Sequence, residues 1–333
     1  DPYPAEQLAQ LAELVETGKQ HNVEVVWAAH VGGHIDLGSD EDIQALMDKF
    51  DQLYDIGVRQ FAVFFDDSST DNTHLVDFLN TIQHDYVDAK GDVKPLIMCP
   101  QYYNKNQGGV DYLRSLAQSD ERIQIMWTGD NVVSEVNQSM VDYITDLIGR
   151  PVYVWWNYPV NDLGMGDMLL VGETVGLSTE MDKMVGLTSN PMPQAQASKF
   201  SLFSIADYSW NIKDYDQHAS WEAAVDYIIE DDTYAEAFRL FAANNNQSVT
   251  ELKDIAVESE YLIDDFNDFR SAFYSGADIS EKAEALKGEF NKIEDACALL
   301  RTYENTDLVA QITPWMDKLQ AYAEAAQGVM DNL

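Results

Sequence analysis

Two adjacent carboxylates, Asp66 and Asp67, follow an apolar, aromatic run in the segment RQFAVFFDDSSTDNTHL, residues 59–75. A buried strand that ends in a turn needs one helix-capping side chain, which a single Asp or Ser supplies. The second acid therefore raises the question of general acid–base chemistry, in which one carboxyl group is charged and its neighbour protonated. Taken alone, the dipeptide is more typical of a capped, solvated turn, so its context has to decide.

Other residue types that often bind metals or cofactors lack the spacing that such sites need. His30 and His34 lie in the segment HVGGH, on a glycine-rich loop rather than on one helix face, and no third ligand is spaced with them. Cys99 and Cys297 are far apart and form no metal-type or redox-type pattern. The segment GMGDMLLVG (164–172) contains Gly-x-Gly but neither follows a strand nor opens a helix. We therefore predict neither a metal site nor a cofactor.

The segment VWWNYPVND (154–162) places aromatic and polar side chains at the end of an apolar run. Trp155 and Trp156 would fit a hydrophobic core. Beside Asn157 and Asp162 they would also supply an aromatic floor and a hydrogen-bonding rim, the parts from which sugar sites are built. Both interpretations are open from the residues alone.

Short runs rich in Val, Ile and aromatic residues alternate with amphipathic segments along the first part of the chain. We predict strands at VEVVWAA (23–29), FAVFF (61–65), PLIMC (95–99), IQIMW (123–127), VYVWW (152–156) and MVGLTS (184–189). Each run is nearly apolar throughout, as expected of a parallel strand covered on both faces. Helical spacing at 40–57 and 134–150 ends at Gly57 and Gly149. The pattern predicts an α/β fold of repeated strand–helix units.

Polar residues cluster directly after these strands, and their placement distinguishes two α/β architectures. The clusters are Asp66 and Asp67, 101–104, 128–131, 157–162 and Asn190. In a (β/α)8 barrel all such loops meet at one face, whereas in a doubly wound sheet they are spread along an edge. We therefore predict a (β/α)8 TIM-type barrel. Because a barrel has eight strands and this chain opens on a helical segment at 5–20, we expect the first two strands to be missing.

The pattern changes after Asn190. We predict a loop and then helices over 206–243, and a polar linker at 244–248, where Ser248 and Glu251 have the spacing of a helix capping box. Apolar residues then recur on three helical faces, namely Leu252, Ile255, Leu262, Phe266 and Phe269; Leu286, Phe290, Ile293 and Leu300; and Trp315, Leu319 and Tyr322. We predict a catalytic barrel domain over 1–246 and a helical bundle over 247–333.

The charge of the chain excludes several classes of partner. It has 58 acidic and 20 basic residues among 333, a formal net charge of -38. Such a charge repels polyanions, so we expect no nucleic-acid partner and no binding to anionic membranes. No apolar run reaches membrane-spanning length, and the first residues have neither the basic start nor the apolar centre of a signal peptide.

Several segments, taken in order, resemble the family 84 glycoside hydrolases, the β-N-acetylglucosaminidases known as O-GlcNAcases, and most closely their bacterial members. The segments are FFDD (64–67), KGDVKPLIMCPQYY (90–103), MWTGDNVV (126–133), WWNYPVND (155–162), SNPM (189–192) and ADYSWN (206–211). Their order and spacing are specific, and the resemblance extends through the helical tail. It implies a (β/α)8 barrel followed by a helical bundle, and removal of terminal β-linked N-acetylglucosamine (GlcNAc) with retention of configuration.

The family's chemistry would explain the two adjacent acids. It resembles that of the substrate-assisted glycosidases, in which the substrate's own acetamido oxygen attacks the anomeric carbon and forms an oxazoline intermediate. The resemblance implies that Asp66, in its charged form, binds the acetamido N–H and stabilises the oxazoline. It implies that Asp67, protonated at rest, protonates the leaving oxygen and later deprotonates water. Two close like charges would help to separate the two proton affinities.

The resemblance also assigns substrate-binding roles to residues in the same loops. Tyr103 would hold the acetamido oxygen, Trp155 would form a wall around the acetyl methyl group, and Thr128 and Val132 would line the pocket near the acetamido group. Asn157 would support the acid pair, while Asp162 and Asn190 would bind sugar hydroxyls. Thr128 and Val132 would also fit ordinary packing at a strand end.

One part of the family pattern has no counterpart here. The family's first two strands supply a backbone glycine and a lysine to sugar binding, and nothing in this sequence matches them. We therefore expect either a truncated or split polypeptide, whose barrel an N-terminal fragment supplied as another chain would complete, or a sequence that is part of a longer protein. The competing hypothesis is a non-catalytic fragment that keeps sugar or partner binding. A hyaluronidase-type glycosidase ranks lower, since a net charge of -38 would repel hyaluronan. We expect GlcNAc-bearing proteins or glycans as partners and a secreted or extracellular bacterial location.

Overall fold

The computed structural model describes residues 2–246, 252, 255 and 257–332. Contacts within the chain group the residues into two compact units. The first unit comprises Asp1–Val132, Val136–Trp155 and Asp182–Thr188, and the second comprises Val133–Glu135, Trp156–Met181 and Ser189–Leu333.

Within the described residues, six strands form one sheet whose spatial order follows the chain order. The strands are β1 (Val26–His30), β2 (Gln60–Phe64), β3 (Ile97–Cys99), β4 (Gln124–Trp127), β5 (Val152–Pro159) and β6 (Met184–Asn190). Neighbours from β1 to β5 pair in parallel. The predicted parallel α/β fold of an incomplete barrel is therefore confirmed, and all the predicted strands are present with bounds that shift by a few residues.

The strand register sets the carboxyl ends of β1, β2 and β3 at one level. His30 pairs with Phe64, and Phe64 pairs with Cys99, so each of these three residues ends its strand beside the next. β2 is a central strand, and Phe61 and Val63 are fully buried. β1 is an edge strand, and Val26 on it is 40% exposed because one side of the strand has no neighbour among the described residues. The residues that follow β1, β2 and β3 thus emerge at the same edge of the sheet.

Helices of the first unit cover this sheet. They are α1 (Ala5–Gln20), α2 (Asp40–Tyr54), α3 (Leu75–Thr81), α4 (Val110–Ser115) and α5 (Gln138–Ile148), and α3 continues into wider, π-helical turns over Ile82–Asp88. The predicted helices at 40–57 and 134–150 correspond to α2 and α5 with shorter bounds. Side-chain caps explain where they begin, since Ser39 accepts from the N–H of Asp42 and Asn137 accepts from that of Met140.

Helices of the second unit follow Asn190. They are α6 (Ala195–Trp210), α7 (Gln217–Ile228), α8 (Asp232–Ala243), α9 (Ile263–Ser275), α10 (Ser280–Leu300) and α11 (Thr306–Met330). The loop predicted to begin at 206 is instead the last turn of α6. The serines at 198, 201 and 204 on this helix are buried, as are Phe200 and Tyr208. Because polar residues lie on the buried face, the sequence lacks the amphipathic pattern that predicts a helix.

The C-terminal helices pack largely as the apolar pattern of the sequence predicts. Leu286, Phe290 and Ile293 on α10 form a buried cluster with Ala323 on α11. Three residues that were predicted on apolar helical faces are instead exposed, namely Ile255, Phe266 and Tyr322. The predicted capping box at Ser248 and Glu251 lies outside the described residues, and the domain boundary after residue 246 stays a prediction. Among the described residues, no helix combines the length and apolar character required to cross a membrane.

Candidate active site

The acid pair lies directly after β2, at the level where three strands end. The N–H of Phe65 donates to the carbonyl of Cys99 at 3.0 Å, which extends the pairing of β2 with β3 up to the acids. Asp67 then adopts a left-handed backbone conformation with φ of 51°. Such a conformation disfavours residues other than Gly, Asn and Asp, and strained backbone of this kind is concentrated at functional sites. The turn after β2 therefore holds the acid pair in a backbone conformation of the kind found at functional sites.

Tyr103 makes direct contact with Asp67. Its hydroxyl donates a hydrogen bond to Asp67 Oδ1 at 2.8 Å, and the tyrosine side chain is buried. The backbone of Tyr103 is held in turn by the side chain of Gln107, which accepts from the Tyr103 N–H at 2.8 Å. Burial, followed by the hydrogen bond to Asp67, raises the pKa of the Tyr103 phenol, so the group keeps its proton and acts as a donor near neutral pH.

Asp66 occupies a different environment from its neighbour. Its side chain is 20% exposed, and Oδ1 is buried with no hydrogen-bond partner of normal geometry among the described residues. Burial raises the pKa of Asp66; the nearby His30 opposes this rise, and the charge of Asp67 adds to it. The direction of this pKa shift is therefore opposite to the low proton affinity expected for the charged partner, because burial outweighs the favourable contacts.

The tandem tryptophans of β5 separate into two roles. Trp156 is fully buried, stacks on Tyr158 at 4.6 Å between ring centroids, and donates from Nε1 to the carbonyl of Ser134 at 3.0 Å. Trp155 is only partly buried, and its ring centroid lies 5.2 Å from that of Tyr103. Because side chains alternate along a strand, one tryptophan belongs to the core and the other lies beside the acid pair's tyrosine.

Thr128 and Val132 lie in the loop that follows β4. Thr128 is buried, and its hydroxyl contacts the carbonyl of Asn131 at 2.6 Å and that of Tyr103 at 3.2 Å. The backbone N–H of Thr128 also donates to the Tyr103 carbonyl, at 2.9 Å. Val132 is 44% exposed. Thr128 thus anchors the backbone of Tyr103, while Val132 offers an accessible apolar surface.

The remaining predicted site residues lie in the second unit. Asn157 is buried on β5, and its Oδ1 accepts from Asn190 Nδ2 at 3.0 Å. The Val160 N–H donates to the Asn190 carbonyl at 2.8 Å, so the ends of β5 and β6 are joined here. Asp162 is exposed and begins a short 3-10 turn, in which its carbonyl accepts from the N–H of Met165 at 2.9 Å. The structure therefore brings Asn157 and Asn190 into contact.

His30 is a residue of this region that the sequence suggested only as an unsupported metal ligand. Its Nε2 lies 2.7 Å from the backbone carbonyl oxygen of Asp66. The sequence does show that His30 lies near the end of β1 and Phe64 near the end of β2. Placing His30 beside the acid pair also requires the register between the two strands, which the sequence does not show. The part of the chain that the structure describes holds no group of three or more His, Cys, Asp or Glu side chains arranged to bind a metal.

Two family models match the chain. The model described as beta-N-acetylglucosaminidase matches residues 1–243, and the model described as hyaluronidase post-catalytic domain-like matches residues 260–333. Among curated proteins, the mouse (Mus musculus) protein O-GlcNAcase is 25% identical over 222 residues, which cover 62% of this chain and 24% of that protein. This chain therefore spans about a quarter of the length of that relative.

Solved structures resemble nearly the whole chain. The structure of the protein named CpGH84D is 31% identical with a TM-score of 0.91, covering 99% of this chain and 57% of its own. A mutant of the Thermobaculum terrenum O-GlcNAc hydrolase is 26% identical with a TM-score of 0.90, covering 99% of this chain and 73% of its own. The likeness therefore includes the barrel strands and the C-terminal helices.

Proposed function

Because the chain belongs to the β-N-acetylglucosaminidase family, glycoside hydrolase family 84, we propose that it removes terminal β-linked GlcNAc by substrate-assisted hydrolysis with retention of configuration. The family match over residues 1–243 includes the acid pair and all the other predicted site residues. Because the chain spans only part of its relatives, the activity is proposed for the protein to which this sequence belongs.

The unpartnered oxygen of Asp66 is the observation that carries the proposal. Asp66 Oδ1 is buried with no hydrogen-bond donor of normal geometry among the described residues, and the weakly donating Cys99 thiol lowers the pKa of this carboxyl group less than burial raises it. Leaving a buried charged acceptor without a donor costs free energy, about 1–3 kcal/mol or more. An acetamido N–H would supply the missing donor, and a hydrogen bond to the charged form would lower the pKa of Asp66. Substrate binding would thereby convert Asp66 into the charged group that the oxazoline requires.

Asp67 is the proposed general acid and base. In the first step the acetamido oxygen bonds to the anomeric carbon while Asp67 protonates the departing glycosidic oxygen, which leaves as an alcohol. The oxazoline that forms carries a proton on nitrogen, and Asp66 stabilises its positive charge. In the second step Asp67 takes a proton from water, and the water oxygen opens the oxazoline at the anomeric carbon. Two inversions at that carbon give net retention.

Tyr103 and Trp155 are proposed to hold the acetamido group for attack. The Tyr103 hydroxyl, which donates to Asp67 in the structure, would donate to the acetamido oxygen when substrate is bound. The partly buried ring of Trp155 beside it would contact the acetyl methyl group. Val132 would add apolar contact, and Thr128 would fix the Tyr103 backbone through the hydrogen bonds described above.

Amide and carboxylate side chains of the second unit are proposed to bind the sugar. Asn190 and Asp162 would bind sugar hydroxyls, and Asn157 would support the acid pair. The bond from Asn190 Nδ2 to Asn157 Oδ1 orients both amides, because it fixes which end of each amide donates and which accepts. Paired amides of this kind suit recognition of hydroxyls, which both donate and accept.

We propose GlcNAc on protein Ser or Thr, or at glycan ends, as the substrate class. The likeness to proteins named O-GlcNAcase and O-GlcNAc hydrolase supports this choice. Hyaluronan fits less well, since a chain with a net charge of -38 repels a polyanion. The family match over residues 1–243, which include the acid pair, also favours a hydrolase over a non-catalytic sugar-binding fragment.

Hydrolysis of 4-nitrophenyl β-GlcNAc tests the proposal. We expect release of the phenol, with β-GlcNAc as the first anomer seen by proton NMR. Fluorine substitution of the acetyl group should slow the reaction progressively, because it weakens the attacking oxygen. The matched control is 4-nitrophenyl β-glucoside, which lacks the acetamido group and should not be cleaved. An α-anomer product, or a rate that fluorination leaves unchanged, would contradict the substrate-assisted mechanism, and binding without turnover would favour the non-catalytic alternative.

A further inference from the structure

The segment HVGGH lies against the loop that carries the acid pair. β1 ends at His30, which pairs in register with Phe64 at the end of β2. Beyond the strands, the N–H groups of Val31 and Gly32 both donate to the carbonyl of Phe64, at 3.0 and 3.2 Å. The loop after β1 therefore runs directly beside residues 65–70.

Close packing fastens these two loops together. A Cβ atom at Gly32 would lie 2.3 Å from Ser68 Oγ and 3.2 Å from Phe65 Cα, so only glycine permits this approach. The next residue, Gly33, donates its N–H to Thr70 Oγ1 at 3.0 Å. Ser68 Oγ in turn donates to the carbonyl of Phe65 at 2.6 Å. The glycines of the motif thus allow the first loop to hold both ends of the second.

His30 contacts the peptide group that joins the two acids. Its Nε2 lies 2.7 Å from the carbonyl oxygen of Asp66, and since a carbonyl only accepts, Nε2 carries a hydrogen. This carbonyl precedes Asp67, which has a left-handed backbone conformation that most L-residues avoid. A donor placed on that peptide group restricts its rotation, and this rotation sets the angle between the two carboxylates.

His30 also faces the unpartnered oxygen of Asp66. The distance from His30 Nε2 to Asp66 Oδ1 is 3.9 Å, which is within ion-pair range when the imidazole is protonated. The other titratable groups near Asp66 are Asp67, Cys99 on β3 and Tyr103, all of which are neutral or negative. His34, whose ring centroid is 6.0 Å from that of His30, is the second histidine of the motif. Among these groups, His30 is thus the one that can carry a positive charge beside Asp66.

We propose that His30 is a positioning residue for the acid pair, which holds the peptide group between Asp66 and Asp67 through Nε2 and keeps Asp66 ionised through its own positive charge. The first role is present in both protonation states of the imidazole, because the Nε2–H tautomer also donates. The second is present only while the imidazole carries a positive charge. The inference deepens the proposed function, on which its kinetic test rests.

Two substitutions at His30 separate the two roles. His30→Gln places a neutral N–H donor near the position of Nε2, whereas His30→Ala removes both donor and charge. We expect His30→Ala to lower kcat by about 10- to 100-fold with little change in KM, because small misplacement of reacting groups has effects of this size. His30→Gln should recover most of that loss near neutral pH. In both variants the acidic limb of the kcat profile should move to higher pH, since Asp66 is then protonated more easily.

His34→Gln is the matched control, because it changes the other histidine of the same motif. We expect it to keep the parent kcat and the parent acidic limb. If His30→Ala retains the parent kcat and pH profile while circular dichroism shows both variants folded, the proposal is overturned. An equal loss of kcat in His30→Gln and His30→Ala would overturn the hydrogen-bonding role.

Carbon-13 NMR of the Asp66 side-chain carboxyl carbon tests the charge role without any activity. The midpoint of the Asp66 titration should be higher in His30→Gln than in the parent, and unchanged in His34→Gln. A midpoint in His30→Gln that equals the parent value, or falls below it, would overturn the role of the charge. This measurement separates the inference from the proposed function, whose own failure would appear as a parent protein that does not release GlcNAc.

Discussion

Two neighbouring residues of the same type have different surroundings in this site. Asp67 accepts a hydrogen bond from Tyr103, whereas Asp66 Oδ1 is buried without a donor among the described residues. Burial raises the pKa of Asp66, and His30 limits that rise. Environment rather than residue type therefore distinguishes the two carboxyl groups, and without a donor on Oδ1 the pKa of Asp66 is shifted away from that of a readily ionised acid.

We predict that the two acids differ in their dependence on the leaving group. Asp67→Asn removes the proton donor, so the loss of kcat/KM should be about 100- to 10,000-fold for a sugar on a serine hydroxyl and much smaller for an acidic phenol. Asp66→Asn removes the charge that stabilises the oxazoline, so its loss should vary little with the leaving group. Rates on aryl β-GlcNAc substrates of graded phenol acidity would measure both slopes. A steep slope for Asp66→Asn and a flat one for Asp67→Asn would show that the roles are reversed.

We also predict that Asp66 reduces stability near neutral pH. Its pKa is raised in the folded state, so the folded protein binds the proton more tightly and loses stability as pH rises from the unfolded pKa through the folded one. Asp66→Asn should therefore raise the free energy of unfolding at pH 7.5 by about 0.5–2 kcal/mol, the usual size of such gains, and by less at pH 3. Urea unfolding at the two pH values measures the difference.

Asp71→Asn, in the same loop, is the control, because the pKa of Asp71 is shifted in the direction opposite to that of Asp66. Hydrogen bonds from the hydroxyl and N–H of Thr73 lower the pKa of Asp71, so its contribution to stability is present above the unfolded pKa and is lost as pH falls. This variant should be slightly less stable than the parent at pH 7.5. A loss of stability at pH 7.5 for Asp66→Asn as well would contradict the assignment of an unfavourable burial to Asp66.

At the scale of elements, a buried arginine joins the end of one strand–helix unit to the start of the next strand. Arg150 lies between α5 and β5 and is 8% exposed. Its guanidinium donates to backbone carbonyls of Leu116 and Ser119 at 2.9 and 2.8 Å, and also to those of Ile148, Asp120 and Ile123. Several of these carbonyls end the helical turns after α4, where a cation is favoured by the helix dipole.

We predict that Arg150→Met lowers the free energy of unfolding by about 2–5 kcal/mol, because each buried carbonyl left without a donor costs about 1–3 kcal/mol. Methionine keeps much of the volume but leaves the carbonyl groups buried without donors. Arg122→Met is the matched control, because Arg122 is largely exposed and pairs with Asp88 and Asp120 at the surface. Surface pairs contribute little, so this variant should change stability much less. Equal losses for the two variants in urea unfolding would contradict the assigned role of Arg150.

At the scale of the whole molecule, charge is the dominant feature. A formal net charge of -38 on 333 residues makes the folded chain repel itself, while also favouring solubility. Many of the basic side chains form ion pairs at the surface, as Arg239 does with Glu222 and Asp226, but such pairs offset little of the repulsion. Stability should therefore depend on how strongly the solution screens carboxylates from one another.

We predict that the thermal midpoint rises by several degrees between low salt and about 0.5 M NaCl, because screening shortens the range of repulsion to a few ångströms. Differential scanning calorimetry at pH 7.5 measures the shift. Sodium perchlorate at the same ionic strength is the control. It screens charges equally but does not strengthen hydrophobic burial as salts such as sulfate do, so a rise in the thermal midpoint with perchlorate is due to screening. A midpoint that falls as NaCl is added would show that the surface ion pairs outweigh the net repulsion.

The sequence by itself determined the features that depend on local periodicity and covalent adjacency. Continuous apolar runs indicated the buried parallel strands, and 3.6-residue spacing indicated α2, α5 and α10, because each pattern depends on neighbours a few residues away. The adjacency of Asp66 and Asp67 and the ordered motifs of the family were likewise readable without coordinates. The last turn of α6 could not be predicted from the sequence, because buried serines interrupt the amphipathic pattern of this helix.

Only the tertiary structure decided which side chains meet across the sheet. Tyr103 and Asp67 are 36 residues apart, as are His30 and Asp66, and their contacts follow from the register of β1, β2 and β3. A shift of one residue in that register would turn each strand's side chains to the opposite face. The burial that raises the pKa of Asp66 comes from atoms of distant segments, so this difference between the two acids also arises only when the strands assemble.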